Sequence, residues 1–264
     1  MPKRKKRVNT LKPQSRVLLF VTILAVLCLA YVYTPLILDF FRDNVQQGKD
    51  IEEYKKDLPE YSVFGIDISH YQDKIDWESI FQEQHIDFVI IRATAGIDNF
   101  DKKFENNWEA VKNANIIRGA YHYYRPDENS KEQAEFFIRN VELSEGDLPP
   151  ILDIEKYSRI QSLNSLKNGL LNWLQIVEDY YEITPIIYTY NKFYINSISD
   201  DPRFEKYPIW LAWYNLDKRP DSILKDWIFW QFSEKGKIKG IEGDVDMNVF
   251  NGKIQELDGL RLKK

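Results

Sequence analysis

From Val63 to Phe250 the chain is divided into short apolar segments at regular intervals, and that rhythm limits the folds open to it. Strand candidates fall at Val63–Ser69, Asp87–Thr94, Ile117–Tyr124, Leu148–Glu155, Pro185–Tyr190, Pro208–Tyr214, Trp227–Phe232 and Val245–Phe250. The Phe-Val-Ile-Ile run in the second suits a strand buried on both faces. Helical spacing separates the earlier strands, at Asp76–Gln84, Asp101–Asn115, Ser130–Val141 and Leu163–Tyr180. Ser130 and Gln133 are placed as a capping box. The last three strands are joined by segments too short for full crossover helices. Eight strands alternating with helices predict a parallel barrel, which carries its chemistry at the C-terminal strand ends. An open doubly wound sheet is the rival. The chain lacks both glycine-rich phosphate signatures, GxGxxG and GxxxxGK(S/T), which disfavours that rival.

The N-terminus is of a different character. Residues 1–16 carry seven Lys/Arg and no acid, and residues 17–38 carry no charge. As helix, that apolar run would be roughly 33 Å long, enough to cross a bilayer core. Tyr31 and Tyr33 fall where an interfacial aromatic belt would lie. A cleaved signal peptide fits less well, because Tyr-Val-Tyr-Thr-Pro follows Ala30 where a small-x-small site is needed. The reading is a cytoplasmic basic tail (1–16), a transmembrane anchor (17–38), a stalk or short solvated helix (39–61), a catalytic domain (62–252) and a tail (253–264). The positive-inside bias makes this a single-pass protein of the cell membrane with its body outside the cytoplasm.

The net charge of −5 hides an acidic body: without the head, 29 basic residues face 41 acidic ones. Phosphate contact needs a basic surface, so nucleic acid is not expected as a partner. A single cysteine, Cys28, permits neither an internal disulfide nor a cysteine zinc site. The body is expected to be a monomer held by its own core.

The sharpest chemical feature is Leu152-Asp153-Ile154-Glu155. In a strand, i and i+2 share a face with Cα atoms about 6.6 Å apart. Asp153 and Glu155 would therefore project together from an apolar strand. Two close carboxylates resist joint ionisation, so one pKa should rise. A protonated Glu beside an ionised Asp is what glycoside cleavage uses. Asp67 ends the first strand and Asp246 lies in the last, and these two strands are neighbours in a closed barrel. Four acids thus converge on one mouth.

The ordered segments Gly65-Ile-Asp-Ile-Ser-His-Tyr-Gln72, Ile75-Asp-Trp77, Arg92-Ala-Thr94, Gly119-Ala-Tyr-His122, Leu152-Asp-Ile-Glu155, Ile186-Ile-Tyr-Thr189, Leu211-Ala-Trp-Tyr214, Trp230-Gln-Phe232 and Val245-Asp-Met-Asn248 resemble glycoside hydrolase family 25. These are the Chalaropsis-type lysozymes, or N-acetylmuramidases. The resemblance spans Phe64 to Phe250. It implies a modified TIM-like barrel, (β/α)5(β)3, and hydrolysis of the β-1,4 bond between N-acetylmuramic acid and N-acetylglucosamine in peptidoglycan glycan strands. By position it makes Glu155 the proton donor and Asp153 its partner carboxylate, with Asp67 and Asp246 as supporting acids. Asp153 is left with two possible jobs, nucleophile or orienting group for the substrate's N-acetyl arm. Tyr121, Tyr188, Trp213 and Gln231 are candidate substrate-binding residues, because aromatic faces stack on sugar rings and polar tips bond their oxygens. No cofactor is expected. Three histidines without HxH or HExxH spacing make a metal site with His70 or His122 a weak reading. The alternatives are a membrane-tethered glycan-binding module without turnover and a chitinase-like barrel. The second needs further Asp residues where Pro149 and Ile151 stand.

Overall fold

The computed structural model describes residues 48–83, 86–224 and 226–263, together with Leu27, Leu29, Tyr31, Tyr33 and Thr34. It divides into two units, Met1–Gln47 and Gly48–Lys264. The expected basic tail and most of the expected anchor lie outside the described residues, and the five described positions of the first unit are helical. Among the described residues no helix is long and apolar enough to cross a membrane.

The second unit is a closed barrel. Its elements are α1 (Ile51–Asp57), β1 (Phe64–Ile68), α2 (Trp77–Glu83), β2 (Phe88–Ala95), β3 (Asn99–Phe100), α3 (Phe104–Asn113), β4 (Ile117–Tyr123), α4 (Ser130–Asn140), β5 (Ile151–Ile154), α5 (Leu163–Tyr181), β6 (Ile186–Tyr190), β7 (Ile209–Ala212), β8 (Trp227–Gly236), β9 (Val245–Phe250) and α6 (Ile254–Leu260). The sheet runs β1-β9-β8-β7-β6-β5-β4-β2-β3 and closes through β1–β2 pairing. Strand β3 is a two-residue antiparallel addition to β2, outside the ring of eight.

The strand pattern predicts a parallel barrel with a crowded late part, and it is β9 in that part that departs from parallel pairing. It runs antiparallel to both β8 and β1. Only residues 237–244 join β8 to β9, and a parallel return needs a crossover of a dozen residues or more. The consequence for the site is direct: the start of β9, not its end, lies at the mouth.

Alternation along the strands sorts the core into two layers. Phe88, Ile90, Ile117, Ile151, Ile186, Trp210, Phe229 and Phe250 form the inner layer. Val89, Ile91, Leu152, Ile154, Ile187, Leu211 and Val249 face outward into the layer shared with the helices. Gly65 makes the inner layer possible: a Cβ there would come within 2.4 Å of the Phe88 ring. The same parity that turns Ile151 inward carries Asp153 inward, above the apolar floor.

Two boundary expectations change. Residues 48–61 are not a solvated stalk. Asp50 caps α1 in a capping box, and Ile51, Tyr54 and Leu58 are buried in the outer core layer. Tyr54 bonds Ser233 of β8 at 2.8 Å and packs edge-on against Phe232. Helix α1 thus covers part of β8, where the short late connections supply no crossover helix. Within the expected C-terminal tail, α6 buries Leu257 in the inner layer. Finally, Asn129 rather than Ser130 caps α4, accepting from the amides of Lys131 and Glu132. Gln133 turns inward instead, where its Oε1 accepts from Arg125 N at 2.8 Å.

Candidate active site

At the C-terminal mouth of the parallel strands lies a cleft of about 490 Å³ lined by Asp67, Asp153, Glu155 and Asp246. Asp67 and Asp246 are direct partners across β1 and β9. Asp153 is flanked by Tyr123 on β4 and Tyr188 on β6. Glu155 follows β5 by one residue and is half-buried at the rim.

A hydrogen-bond network fixes Asp67. Its Oδ2 accepts from Gln231 Nε2 at 2.8 Å and from Asn248 Nδ2 at 2.7 Å. Gln231 Oε1 accepts from the Tyr188 hydroxyl at 2.8 Å and the Tyr214 hydroxyl at 2.6 Å. Asn248 Oδ1 accepts from Trp210 Nε1 at 2.8 Å. Each amide can only present its NH2 to Asp67, because its oxygen is already committed to donors. The opposite applies to Asp153: its Oδ1 is buried without a hydrogen-bond partner. An orphan acceptor at such a depth is costly, and it faces a cleft able to supply a donor.

The four acids raise one another. Burial pushes Asp67 up to about 6. Burial, then repulsion from Asp67 and Glu234, pushes Asp246 up to about 9. Asp153 is raised well above the carboxylate range by burial, then by Glu155 and Asp67. Glu155 is raised by burial, but Lys156 and hydrogen bonds from Tyr190 and Tyr123 oppose the rise. A raised Glu beside an ionised Asp was expected. Instead both are raised, the buried Asp153 the more strongly.

Of the candidate binding residues, Tyr121, Tyr188 and Gln231 line the cleft. Trp213 does not. Its ring packs on the outer core layer and its Nε1 donates to the Lys218 carbonyl. It follows the last residue of β7, while Trp210 two places before that end points inward and Tyr214 reaches back to Gln231.

Sequence reading missed Arg92, Asn248 and Tyr190. Arg92 lines the cleft, and its Nε donates to Asp101 Oδ2 at 3.0 Å. The signal was available: Arg92 shares parity with Phe88 and Ile90 in an otherwise apolar strand, so it must point into the barrel. The histidines are engaged elsewhere. His70 Nδ1 lies 2.9 Å from Asp101, while His122 bonds Thr94 and Gln133 and stacks on Trp173. Among the described residues no group of three or more His, Cys, Asp or Glu is arranged to hold a metal ion.

The comparisons with known proteins place the chain in a family. The model for glycosyl hydrolases family 25 matches residues 66–241. The Escherichia coli protein YegX is 34% identical over 250 residues, covering 89% of this chain and 90% of that protein. Lysozyme M1 of Streptomyces globisporus is 33% identical over 206 residues, covering 74% of this chain and 70% of the lysozyme. The structure of a family 25 glycosyl hydrolase from Bacillus anthracis superposes with a TM-score of 0.70 at 30% identity, over 77% of this chain and 95% of that one. The chain therefore belongs to glycosyl hydrolases family 25, and it is a glycoside hydrolase.

Proposed function

We propose that the chain is a muramidase: it hydrolyses the β-1,4 bond between N-acetylmuramic acid and N-acetylglucosamine in peptidoglycan, and it does so from an N-terminal membrane anchor. The observation that carries the reading is the pairing of a rim carboxyl, Glu155, with a buried orphan acceptor, Asp153 Oδ1, in a cleft walled by tyrosines. The kinship to a protein named Lysozyme M1 and to one named N,O-diacetylmuramidase supports the substrate class. The basic head and the uncharged run of residues 17–38 support the anchor.

The proton logic follows from the burial pattern. With the cleft empty, Asp153 is the harder acid to ionise. An acetamido N–H donated to its orphan oxygen favours the carboxylate form. Filling the cleft therefore favours the Asp153 carboxylate, whose negative charge keeps a proton on Glu155. Glu155 then gives that proton to the glycosidic oxygen as the C1–O bond breaks, and the bond's electron pair leaves with the oxygen. Positive charge at C1 is met by the acetamido carbonyl oxygen held by Asp153, or by Asp153 itself. Glu155, now a carboxylate, takes a proton from the water that attacks C1 and is restored. Gln231 and Asn248 hold Asp67 in place beside the reacting groups through the cycle.

Glu155→Gln tests the assignment. The amide cannot donate an acid's proton, so turnover of peptidoglycan should fall by about 10²–10⁴-fold with the circular dichroism spectrum unchanged. Substantial residual turnover would remove Glu155 from the donor role.

A further inference from the structure

The cleft mouth is polarised. Strands β5 and β9 lie four places apart in either direction around the ring of eight, so their mouth ends face each other across it. On the β8–β9 side the lining carries Glu234 and Asp246, and on the β4–β5 side it carries Arg125 and Lys156. Three cations line the cleft in all, the third being Arg92. Arg92 is held by Asp101 at 3.0 Å, and Arg125 by Asp98 at 3.2 Å and Glu128 at 3.0 Å. Lys156 is exposed and forms no ion pair among the described residues; its Nζ lies 5.6 Å from the centre of the Tyr123 ring. The backbone that carries it is fixed. Tyr157 packs on Phe193 with ring centres 4.8 Å apart, and its hydroxyl accepts from Ser197 Oγ at 3.1 Å. Asp127, in the loop after β4, accepts from Ser158 Oγ at 2.6 Å and from the Arg159 amide at 2.9 Å. The two loops that form this wall are thereby joined, with Lys156 set between them and the cleft.

We infer that Lys156 is a specificity determinant: it binds a carboxylate carried by the muramyl unit of the substrate and holds that substituent against the β4–β5 wall. This rests on the muramidase reading above. N-acetylmuramic acid differs from N-acetylglucosamine by a lactyl ether, which ends in a carboxylate or continues into a peptide stem that bears carboxylates. Five acids line the cleft, Asp67, Asp153, Glu155, Glu234 and Asp246, so an anionic substituent is repelled over most of the mouth. At Lys156 the balance reverses, because this cation is not already neutralised by a partner. A compact ammonium on a flexible stem also suits a carboxylate whose position varies from one substituent to the next.

The test uses the full chain in detergent and soluble glycan strands of two kinds, with their peptide stems and freed of them by an amidase. Each kind is used native and with its carboxyls converted to methylamides by carbodiimide coupling. Assays run at low ionic strength, where an exposed charge is least screened, and at each enzyme's own pH optimum. The readout is kcat/KM on a native strand divided by that on its methylamide. The wild type should give a ratio of about three to five, the worth of an exposed ion pair. Lys156→Met should bring the ratio to about one or below, since the acids then act unopposed, and Lys156→Glu should lower it further. A structural fault, or an altered proton on Glu155, would depress both substrates alike and leave the ratio where it was. A preference in stem-bearing strands assigns the carboxylate to the peptide, and one in stem-free strands assigns it to the lactyl group. A wild-type ratio of one or less, or a preference that Lys156→Met retains, overturns the inference and leaves the muramidase reading intact. If the wild type cuts none of the strands, that reading falls and this inference with it.

Discussion

Asp67→Asn should make the protein more stable at neutral pH while damaging its activity. Asp67 is 5% exposed and accepts two amide hydrogen bonds. Its folded pKa of about 6 lies above its ordinary 3.8, so the folded state favours the protonated acid. The stabilising contribution is therefore complete below about pH 3.8 and is lost as pH rises through about 6. The whole loss is roughly 3 kcal/mol. Asparagine mimics the protonated acid, because its Oδ1 can still accept from Gln231 and Asn248. The variant should match the wild type near pH 3 and exceed it by roughly 3 kcal/mol at pH 8. For a domain of this size that is a rise in Tm of about 6–12 °C. Urea denaturation of both proteins at closely spaced pH values measures the gap directly. The reasoning is refuted if the variant is the less stable at pH 8, or if the gap stays flat between pH 4 and 7.

Other expectations rest on single residues. Arg92 pulls down the pKa of both Asp153 and Glu155, so Arg92→Leu should displace the pH–activity profile to higher pH; an unmoved profile would count against it. Gln231→Leu strips the Tyr188 and Tyr214 hydroxyls of their acceptor and Asp67 of a donor, costing about 1–3 kcal/mol per stranded group in urea denaturation. His122 is held neutral by burial, with a pKa near 3. Its folded pKa is below the unfolded one, so its contribution is present above pH 6.5 and declines as pH falls toward 3. Its ring NMR signals should not titrate between pH 5 and 8, and a midpoint near 6.5 would show the ring to be wet. Activity should survive a chelator, since a loss restored by a divalent cation would demand a metal-dependent step.

The barrel was legible because strands buried on both faces leave continuous apolar runs, and parity alone then assigns Asp67 and Asp153 to the interior. Arg92 was equally legible by parity. It was passed over because a cation in an apolar strand gives no chemical signature by itself. Asn248 and Tyr190 were not distinguishable from packing residues, since their roles depend on partners on other strands. The direction of β9 depended on the 237–244 connection, whose length argues for a hairpin. The helix α1 was hidden by its polar surface: of its seven residues, only Ile51 and Tyr54 are buried, too few to produce a clear periodic stripe. Trp213 misled because it was judged as an aromatic near a strand end, whereas parity sends it outward: Trp210 and Ala212 belong to the inner layer, and Leu211 and Trp213 to the outer one.

The central claim is that this cleft cleaves peptidoglycan after N-acetylmuramic acid. The direct measurement is digestion of purified, reduced peptidoglycan by the full chain in detergent, followed by mass spectrometry of the newly exposed reducing-end sugars. The account predicts N-acetylmuramic acid at every new reducing end, with none formed by the Glu155→Gln variant. New ends carrying N-acetylglucosamine, or no new ends at all, would contradict it.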